Sequence, residues 1–542
     1  MTRRRATARR VLVLAAALLA LPAGCKVGPD PTRPDARPPE TYRGADEAQT
    51  AASPADLTWF ELFEDEVLEQ LIRDAIAGNE DLAIATARVR EARAASAIAE
   101  SLLFPTIDGN VGIDTQGIPR DGFPIFPEPQ DRDGFTENLG GFASWEIDLW
   151  GRYARAADAA KSELLATELD RVAIMQTLVV EVAAAYFRML AADEALAITH
   201  RTIESRRKSR DLVQARLDQG VASKLELRQA ESLLQGAELL VPRYEEERER
   251  QENLISALLG RNPGPVPRGE SLDRQVRSLE VPAGLPSTLL ERRPDLIAAE
   301  AQLAAATSRI GEAKALLYPQ LTITAVGGVS SQDLSDLFDG TSTFWDAALN
   351  LSIPLFNAGR LEANVRGAEA RADAALYAYL RTVRQAFREV SDGLVSLRKL
   401  GEFRRIQEAR VATLLDQSSL SQARYKGGVT SYLEVLDSER QLFESEQSLV
   451  DARLAEIAAV GFLFRALGGG WPQLVEATAA TGATASPMIP PPAPPGASPD
   501  ASPVASPRLV PVAPPGDSAA APSASTATAT TAAAVREASR GD

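Results

Sequence analysis

Cysteine and histidine are almost missing from this 542-residue chain, which has one of each. A disulfide within the chain is therefore excluded, and a His/Cys metal cluster has too few ligands. Four methionines leave a dedicated copper-binding surface unsupported. Positive charge is in deficit as well. Lys and Arg number 58 against 74 Asp and Glu, a net charge of −16, which argues against a nucleic-acid partner, because phosphates reward basic patches. No nucleotide-binding loop is present. The single histidine, His200, sits beside Arg201 in a helical stretch without an orienting partner, and the many carboxylates follow helical, solvated spacing. No catalytic, cofactor-binding or metal-binding residue emerges, and no enzyme is expected. After residue 25 no stretch of about 18 apolar residues runs free of charge, so no helix is expected to cross a membrane there. A membrane span would have to be built from β-strands.

What is present begins with an export signal over 1–24. Arg3, Arg4, Arg5, Arg9 and Arg10 form a basic start, and Val11 to Leu21 form an apolar segment too short for a bilayer. Ala23-Gly24-Cys25 follows and resembles a bacterial lipobox, although Pro22 stands where Leu is usual. Cys25 reads as an acylated first residue of the mature chain, against an ordinary signal with a chance Cys. Residues 25–56 read as an extended lead from that anchor.

An internal repeat dominates the rest. Gln214-Ala-Arg-Leu-Asp-Gln-Gly-Val-Ala-Ser-Lys-Leu-Glu-Leu227 recurs 208 residues later as Gln422-Ala-Arg-Tyr-Lys-Gly-Gly-Val-Thr-Ser-Tyr-Leu-Glu-Val435, with eight of fourteen positions identical. The same offset carries Arg152 onto Arg360 and Glu231 onto Glu439. Upstream the offset is 214, carrying Pro105 onto Pro319, so the halves differ by about six residues between Pro105 and Arg152. Each half reads as helix, strand, strand, long helix, turn, helix. The short helices that start the repeats fall in 57–104 and 261–318, as Asn79 to Ser101 and Pro294 to Leu317. The hairpins fall in 105–150 and 319–356, and the long helical hairpins in 151–260 and 357–470.

Period-two alternation marks the strands. Leu139, Ala143, Trp145, Ile147 and Leu149 alternate with Gly140, Phe142, Ser144, Glu146 and Asp148. Trp345, Ala347, Leu349, Leu351 and Ile353 alternate with Asp346, Ala348, Asn350 and Ser352. Their partners are expected at about Thr106 to Ile113 and Gln320 to Val329, with a Gly-, Pro- and Asp-rich loop from Thr115 to Glu137. Spacings of three and four mark a coiled-coil seam along Met175, Leu178, Val182, Ala185, Met189, Ala192 and Leu196, and along Val383, Phe387, Val390, Leu394 and Leu397. A helix from Arg152 to Gln219 would be about 100 Å long. Gly220 and Gly428 end the long helices, and Ser223 and Ser431 are placed to cap the successors, Ser223 to Leu259 and Ser431 to Leu467. A successor and a short first helix, laid end to end, match one long helix, with Arg261 to Pro286 at mid-height. From 477 to 542 the chain is Ala, Pro, Ser and Thr, expected to be disordered.

Four strands cannot close a membrane barrel, which needs about eight or more. Open edges and lipid-facing strands demand oligomerisation. The polar face shared by Ser144, Glu146, Asp148, Asp346, Asn350 and Ser352 suits a wet lumen. The competing reading is a soluble antiparallel sheet with one solvated face.

The order and spacing of several stretches resemble the TolC-type outer-membrane factor family, in its lipoprotein efflux branch. They are Cys25-Lys-Val-Gly-Pro-Asp30, Trp59 through Phe63-Glu-Asp65, Ala87-Arg-Val-Arg-Glu-Ala-Arg93 and Ser144-Trp-Glu-Ile-Asp-Leu-Trp-Gly-Arg152. Gly284-Leu-Pro-Ser287, Arg292-Arg-Pro-Asp295 and Pro354-Leu-Phe-Asn-Ala-Gly-Arg360 continue them. The likeness spans about residues 25–470. It implies a mainly α fold with a membrane β-barrel contribution: a homotrimer whose strands, four per chain, close one twelve-stranded barrel and whose coiled-coil helices form an α-helical barrel. It also implies an outer-membrane home, supported by Lys26 after the Cys, and a passive duct that passes small molecules. A periplasmic membrane-fusion adaptor and an inner-membrane transporter of the resistance-nodulation-division class would feed it.

By the same resemblance, Arg216, Gly220, Val221 and Ser223 form one adaptor-contacting tip, and Arg424, Gly428, Val429 and Ser431 the other. Glu434 and Asp437 stand where an acidic constriction occurs in some members, and their repeat-mates Glu226 and Gln229 duplicate the acidic pattern only in part; the alternative is a solvated helix face. Tyr425 matches a residue that helps hold the closed end shut, while Thr430 replaces an Arg of such networks. Two rival functions remain: a duct for type I protein secretion, and a structural periplasmic coiled-coil lipoprotein.

Overall fold

A computed structural model describes residues 26–35, 65–117, 133–275, 290, 292–331, 334–340 and 342–469. The export signal, Cys25, most of the N-terminal lead, the segment 118–132 and the tail 477–542 lie outside the described residues.

Two helices open the first half, α1 (Glu66–Gly78) and α2 (Glu80–Ser101). The sequence reading has no counterpart for α1. Its start is set by Asp65, whose carboxylate accepts from the Val67 and Leu68 amides. Next come β1 (Thr106–Gly117), β2 (Asp133–Ile147), α3 (Arg152–Asp218), α4 (Lys224–Glu238), α5 (Leu240–Leu258) and α6 (Leu272–Gln275). The second half runs α7 (Pro294–Ala315), β3 (Gln320–Ser331), β4 (Thr343–Ser352), α8 (Arg360–Lys426) and α9 (Tyr432–Ala466). Helices α3 and α8 have 67 residues each, about 100 Å at 1.5 Å per residue.

Four details differ from the sequence reading. The first successor helix is two helices, α4 and α5, because Pro242 falls in the first turn of α5 and has no N–H to donate back. Its repeat-mate is Val450, and α9 runs unbroken. Ser223 caps α4 in a full capping box, whereas Ser431 makes no side-chain cap at α9. The strands outrun their expected ends, so the stretch before Glu137 pairs from Asp133 instead of looping. Strand β2 stops at Ile147, which leaves Asp148 and Leu149 beyond the sheet.

The core lies where the long helices cross the shorter ones. Met175, Leu178, Val182, Ala185, Met189, Ala192 and Leu196 of the α3 seam are all buried. Val182, Ala185 and Met189 meet Val383, Ala386 and Val390 of α8 and Ile457, Val460 and Leu463 of α9 in one cluster. Each fully buried large aliphatic side chain contributes about 2 kcal/mol. Asp65 fixes the mid-height segment to this core. Its other oxygen accepts from Tyr186 Oη at 3.0 Å, the Glu270 amide at 3.1 Å and Gln275 Nε2 at 3.1 Å.

The shorter helices meet end to end beside the long ones. Asn79 accepts from the Leu82 amide at the start of α2 and donates Nδ2 to the Leu258 carbonyl at the end of α5, 3.0 Å away. In the second half Arg293 precedes α7 and donates Nη1 to the Ala466 carbonyl ending α9, at 3.1 Å. Each junction fills an orphan carbonyl and sets a helix C-terminus against the next N-terminus, a favourable alignment of dipoles. Arg293 also pairs with Asp295 at 2.6 Å and Glu389 at 2.8 Å. Arg293→Ala should therefore cost about 3 kcal/mol, since it strands Glu389 without its cation. A denaturation midpoint equal to wild type would refute this role.

Candidate functional site

The sheet is one end of the working structure. Its order is β1-β2-β3-β4, antiparallel throughout, so β1 and β4 are edges. The register sorts the two faces. Asp108 pairs across to Phe142, Val326 and Asp346; Thr106 to Ser144, Thr324 and Ala348; Glu146 to Thr322 and Asn350; Gln320 to Ser352. Alternation therefore puts Ser144, Glu146, Asp346, Asn350 and Ser352 on one mostly polar face. Asp148 is not among them: beyond the strand, its carboxylate accepts from the Ala154 amide at 2.8 Å and secures the start of α3. Glu146 is met by Arg152 at 3.1 Å. The opposite face carries Ile107, Val111, Ile113, Leu139, Ile323, Trp345, Leu349 and Leu351. Ile107 is 79%, Val111 77% and Trp345 80% exposed, an apolar surface that nothing among the described residues covers.

The other end is the pair of helical tips. Both long helices stop in the same hydrogen-bond pattern. The Gly220 amide donates to the Leu217 carbonyl and Val221 to Arg216; Gly428 donates to Tyr425 and Val429 to Arg424. Gly220 and Gly428 take φ of +76° and +72°, a left-handed conformation that glycine adopts without strain. The tips touch each other. Arg216 donates to the Tyr425 carbonyl at 3.1 Å and lies 4.5 Å from that ring's centroid. Tyr425 meets Tyr432 edge to face at 5.4 Å, with Val213, Leu227 and Val435 packed around them. Burial pushes both tyrosine hydroxyls above their ordinary pKa. Ser223, Arg424 and Ser431 are exposed, as are Val221 and Val429. The sequence reading missed Leu225 and its repeat-mate Leu433, which are exposed beside those valines. The duplication itself was the available signal.

The three candidate acidic residues are engaged within the chain. Glu226 closes the Ser223 capping box. Glu434 faces Arg424 at 3.3 Å and takes the Thr430 hydroxyl. Asp437 meets Arg440 at 2.9 Å and Gln441.

Between the ends, residues 26–35 run along α3 and α7. Lys26 pairs with Asp158 at 2.7 Å, and the Val27 amide donates to the Trp150 carbonyl. Buried Arg155 donates to the Val27 and Gly28 carbonyls and pairs with Asp30 at 2.8 Å. Gly28 lies so close to Gly311 that an added Cβ would sit 2.5 Å from its Cα. Among the described residues no group of three or more His, Cys, Asp or Glu could hold a metal. Helix α3 contains a window long and apolar enough by composition to cross a membrane. That window is 61% buried in the chain, as befits a core helix.

A two-faced sheet with open edges, mounted on tall paired helices with matched tips, defines a subunit of an outer-membrane duct. The chain belongs to the outer membrane efflux protein family, whose model matches residues 71–261 and 285–469. It is a channel protein of an outer-membrane efflux pump. It is 35% identical over 412 residues to the solvent efflux pump outer membrane protein SrpC of Pseudomonas putida, covering 76% of this chain and 87% of the relative. It is 32% identical over 461 residues to the cation efflux system protein CusC of Escherichia coli, covering 83% and 96%. The crystal structure of CusC superposes with a TM-score of 0.74 at 31% identity, over 82% of this chain and all of that one. The open state of the MtrE outer membrane channel of Neisseria gonorrhoeae does so with 0.76 at 29%, over 82% and 98%.

Gly220→Pro or Gly428→Pro should impair efflux without blocking assembly, because proline cannot take the positive φ or donate the tip amide. Normal drug tolerance in a null strain carrying either variant would sink the functional importance of the tips.

Proposed function

We propose that three copies of this chain form a lipid-anchored duct that conducts small toxic molecules across the outer membrane. The uncovered apolar face of the sheet carries this reading. Strand edges β1 and β4 need partners in hydrocarbon, and three chains supply twelve strands, enough to leave a passage. The polar face, with Ser144, Glu146, Asp346, Asn350 and Ser352, lines that passage. The helices continue it into the periplasm, where an inner-membrane transporter of the resistance-nodulation-division class loads it through an adaptor. The adaptor's contacts are Gly220, Val221, Ser223, Arg424, Gly428, Val429 and Ser431, with Arg216 holding the two tips together. Glu226, Glu434 and Asp437 form an acidic constriction that favours cations, with Glu434 and Asp437 each facing an arginine of the same chain.

The relatives' names support this range of cargo, since they include solvent, toluene, antibiotic and cation efflux. The anchor is Cys25. Lys26, one peptide bond on, is tied to Asp158 beside the Trp150 carbonyl, where the sheet meets α3, the level at which a lipid would enter the bilayer.

Purified protein in a planar bilayer should show discrete, cation-preferring conductance steps, and Glu434→Gln with Asp437→Asn should reduce that preference. Steps of unchanged selectivity would discard the constriction, and silence from a variant loosened at the tips would discard the duct. Cells fed labelled palmitate should label the wild-type protein and leave Cys25→Ser unlabelled. Equal labelling of both would remove the anchor.

A further inference from the structure

We infer that Glu439 is a proton-binding site that sets how tightly the two tips are held together, packing them in acid and loosening them as the pH rises. The inference rests on the tip reading above.

Glu439 follows Tyr432 and Val435 on the inner face of α9 and is 6% exposed. It sits where three helices converge. One carboxylate oxygen accepts from Ser209 Oγ of α3 at 3.1 Å and from Gln422 Nε2 of α8 at 2.8 Å. The other oxygen is buried and has no hydrogen-bond partner. Burying a carboxylate charge with one oxygen unfilled costs more than burying the neutral acid.

No close cation balances the charge. From α3, Arg206 is 4% exposed, but it gives Nη1 to the Leu233 carbonyl of α4 at 2.7 Å and lies over the Phe443 ring at 4.8 Å. Its Nε is buried without a partner, and it attracts Glu439 without pairing to it. From α8 the neutral Gln422 faces it, with Tyr425 and Lys426 lining the cavity beside it; Lys208 of α3 lines the same cavity and pairs with Glu204 at 2.7 Å. From α9, Tyr432 and Glu444 act on Arg206, and Tyr432 also lies in the field of Glu439. The repeat-mate makes the contrast plain. Glu231 of α4 is partly solvated and pairs with Arg228 at 2.5 Å. The same residue in the two halves is a surface ion pair in one and a buried, half-filled carboxylate in the other.

Burial pushes the Glu439 carboxyl up, against the weaker downward pull of Ser209, Gln422 and Arg206. A carboxyl raised in the packed state contributes its full stability below the ordinary glutamate range. That stability is lost as pH rises from there toward the raised value. Cavities flank the group, one of about 570 Å³ lined in part by Ser418, Gln422, Glu439 and Phe443, another of about 340 Å³ beside Ser209 and Tyr432. They give water a route to the ionised group once the helices part.

Hydrogen exchange on the full-length protein in detergent tests this, read as protection of amides 209–230 and 421–443 after correction for intrinsic rates. Wild-type protection should fall about tenfold between about pH 5 and about pH 8. Glu439→Gln keeps an acceptor for Ser209 and Gln422 and should stay protected throughout. Ser209→Ala removes a bond that favours the ionised form and should move the fall to higher pH. A flat wild-type profile, a Glu439→Gln protein that falls like wild type, or a Ser209→Ala midpoint at the wild-type pH would each overturn the assignment. Exchange reads packing, not transport. A failure here in a protein that still conducts removes the proton site alone, and a failure of the duct leaves the exchange result standing.

Discussion

Hydrocarbon offers a strand edge nothing to bond with, and β1 and β4 each leave one edge unpaired. The rest of the molecule follows from that constraint. A soluble sheet with one solvated face would bury its apolar side against a helix. Here Ile107, Val111 and Trp345 stand clear of the other described elements, while the opposite face carries Asp108, Ser144, Thr322, Asn350 and Asp346 in matched rows. The proposed duct meets both demands, with further copies closing the edges and lipid covering the apolar face.

The helices solve a different problem, which is height. One unbroken helix of 67 residues needs a partner of equal length, and the chain builds it from shorter pieces joined at their ends. The two halves use the same geometry and different chemistry. Asn79 caps one helix and donates to the end of another; at the matching junction Arg293 reaches a carbonyl and two carboxylates at once. The neutral amide needs little support, whereas the buried guanidinium requires Asp295 and Glu389 to offset its desolvation. Gene-like duplication of a sequence thus does not duplicate its energetics, as Glu231 and Glu439 also show.

The tips hold together through mixed contacts rather than a large core. Tyr425 and Tyr432 supply aromatic packing, Arg216 supplies a charged bridge, and a buried carboxylate lies two turns along α9 from Tyr432. Few apolar groups are buried there compared with mid-height, so the tips are the natural place for movement.

Much of the fold was legible in advance because period and punctuation are local. The α3 seam at spacings of three and four, the period-two strands around Trp145 and Trp345, and the turn glycines Gly220 and Gly428 all follow from how a single segment must bury one face or reverse direction. The repeat added the pairing of like elements. What the sequence could not decide were matters of distance across the chain. Whether Ser431 caps, whether Asp148 lies in the sheet or secures α3, and whether Pro242 splits a helix depend on neighbouring backbone geometry. Which of two repeated glutamates is solvated depends on which helices close over it, and burial is a property of the assembled bundle rather than of the residue.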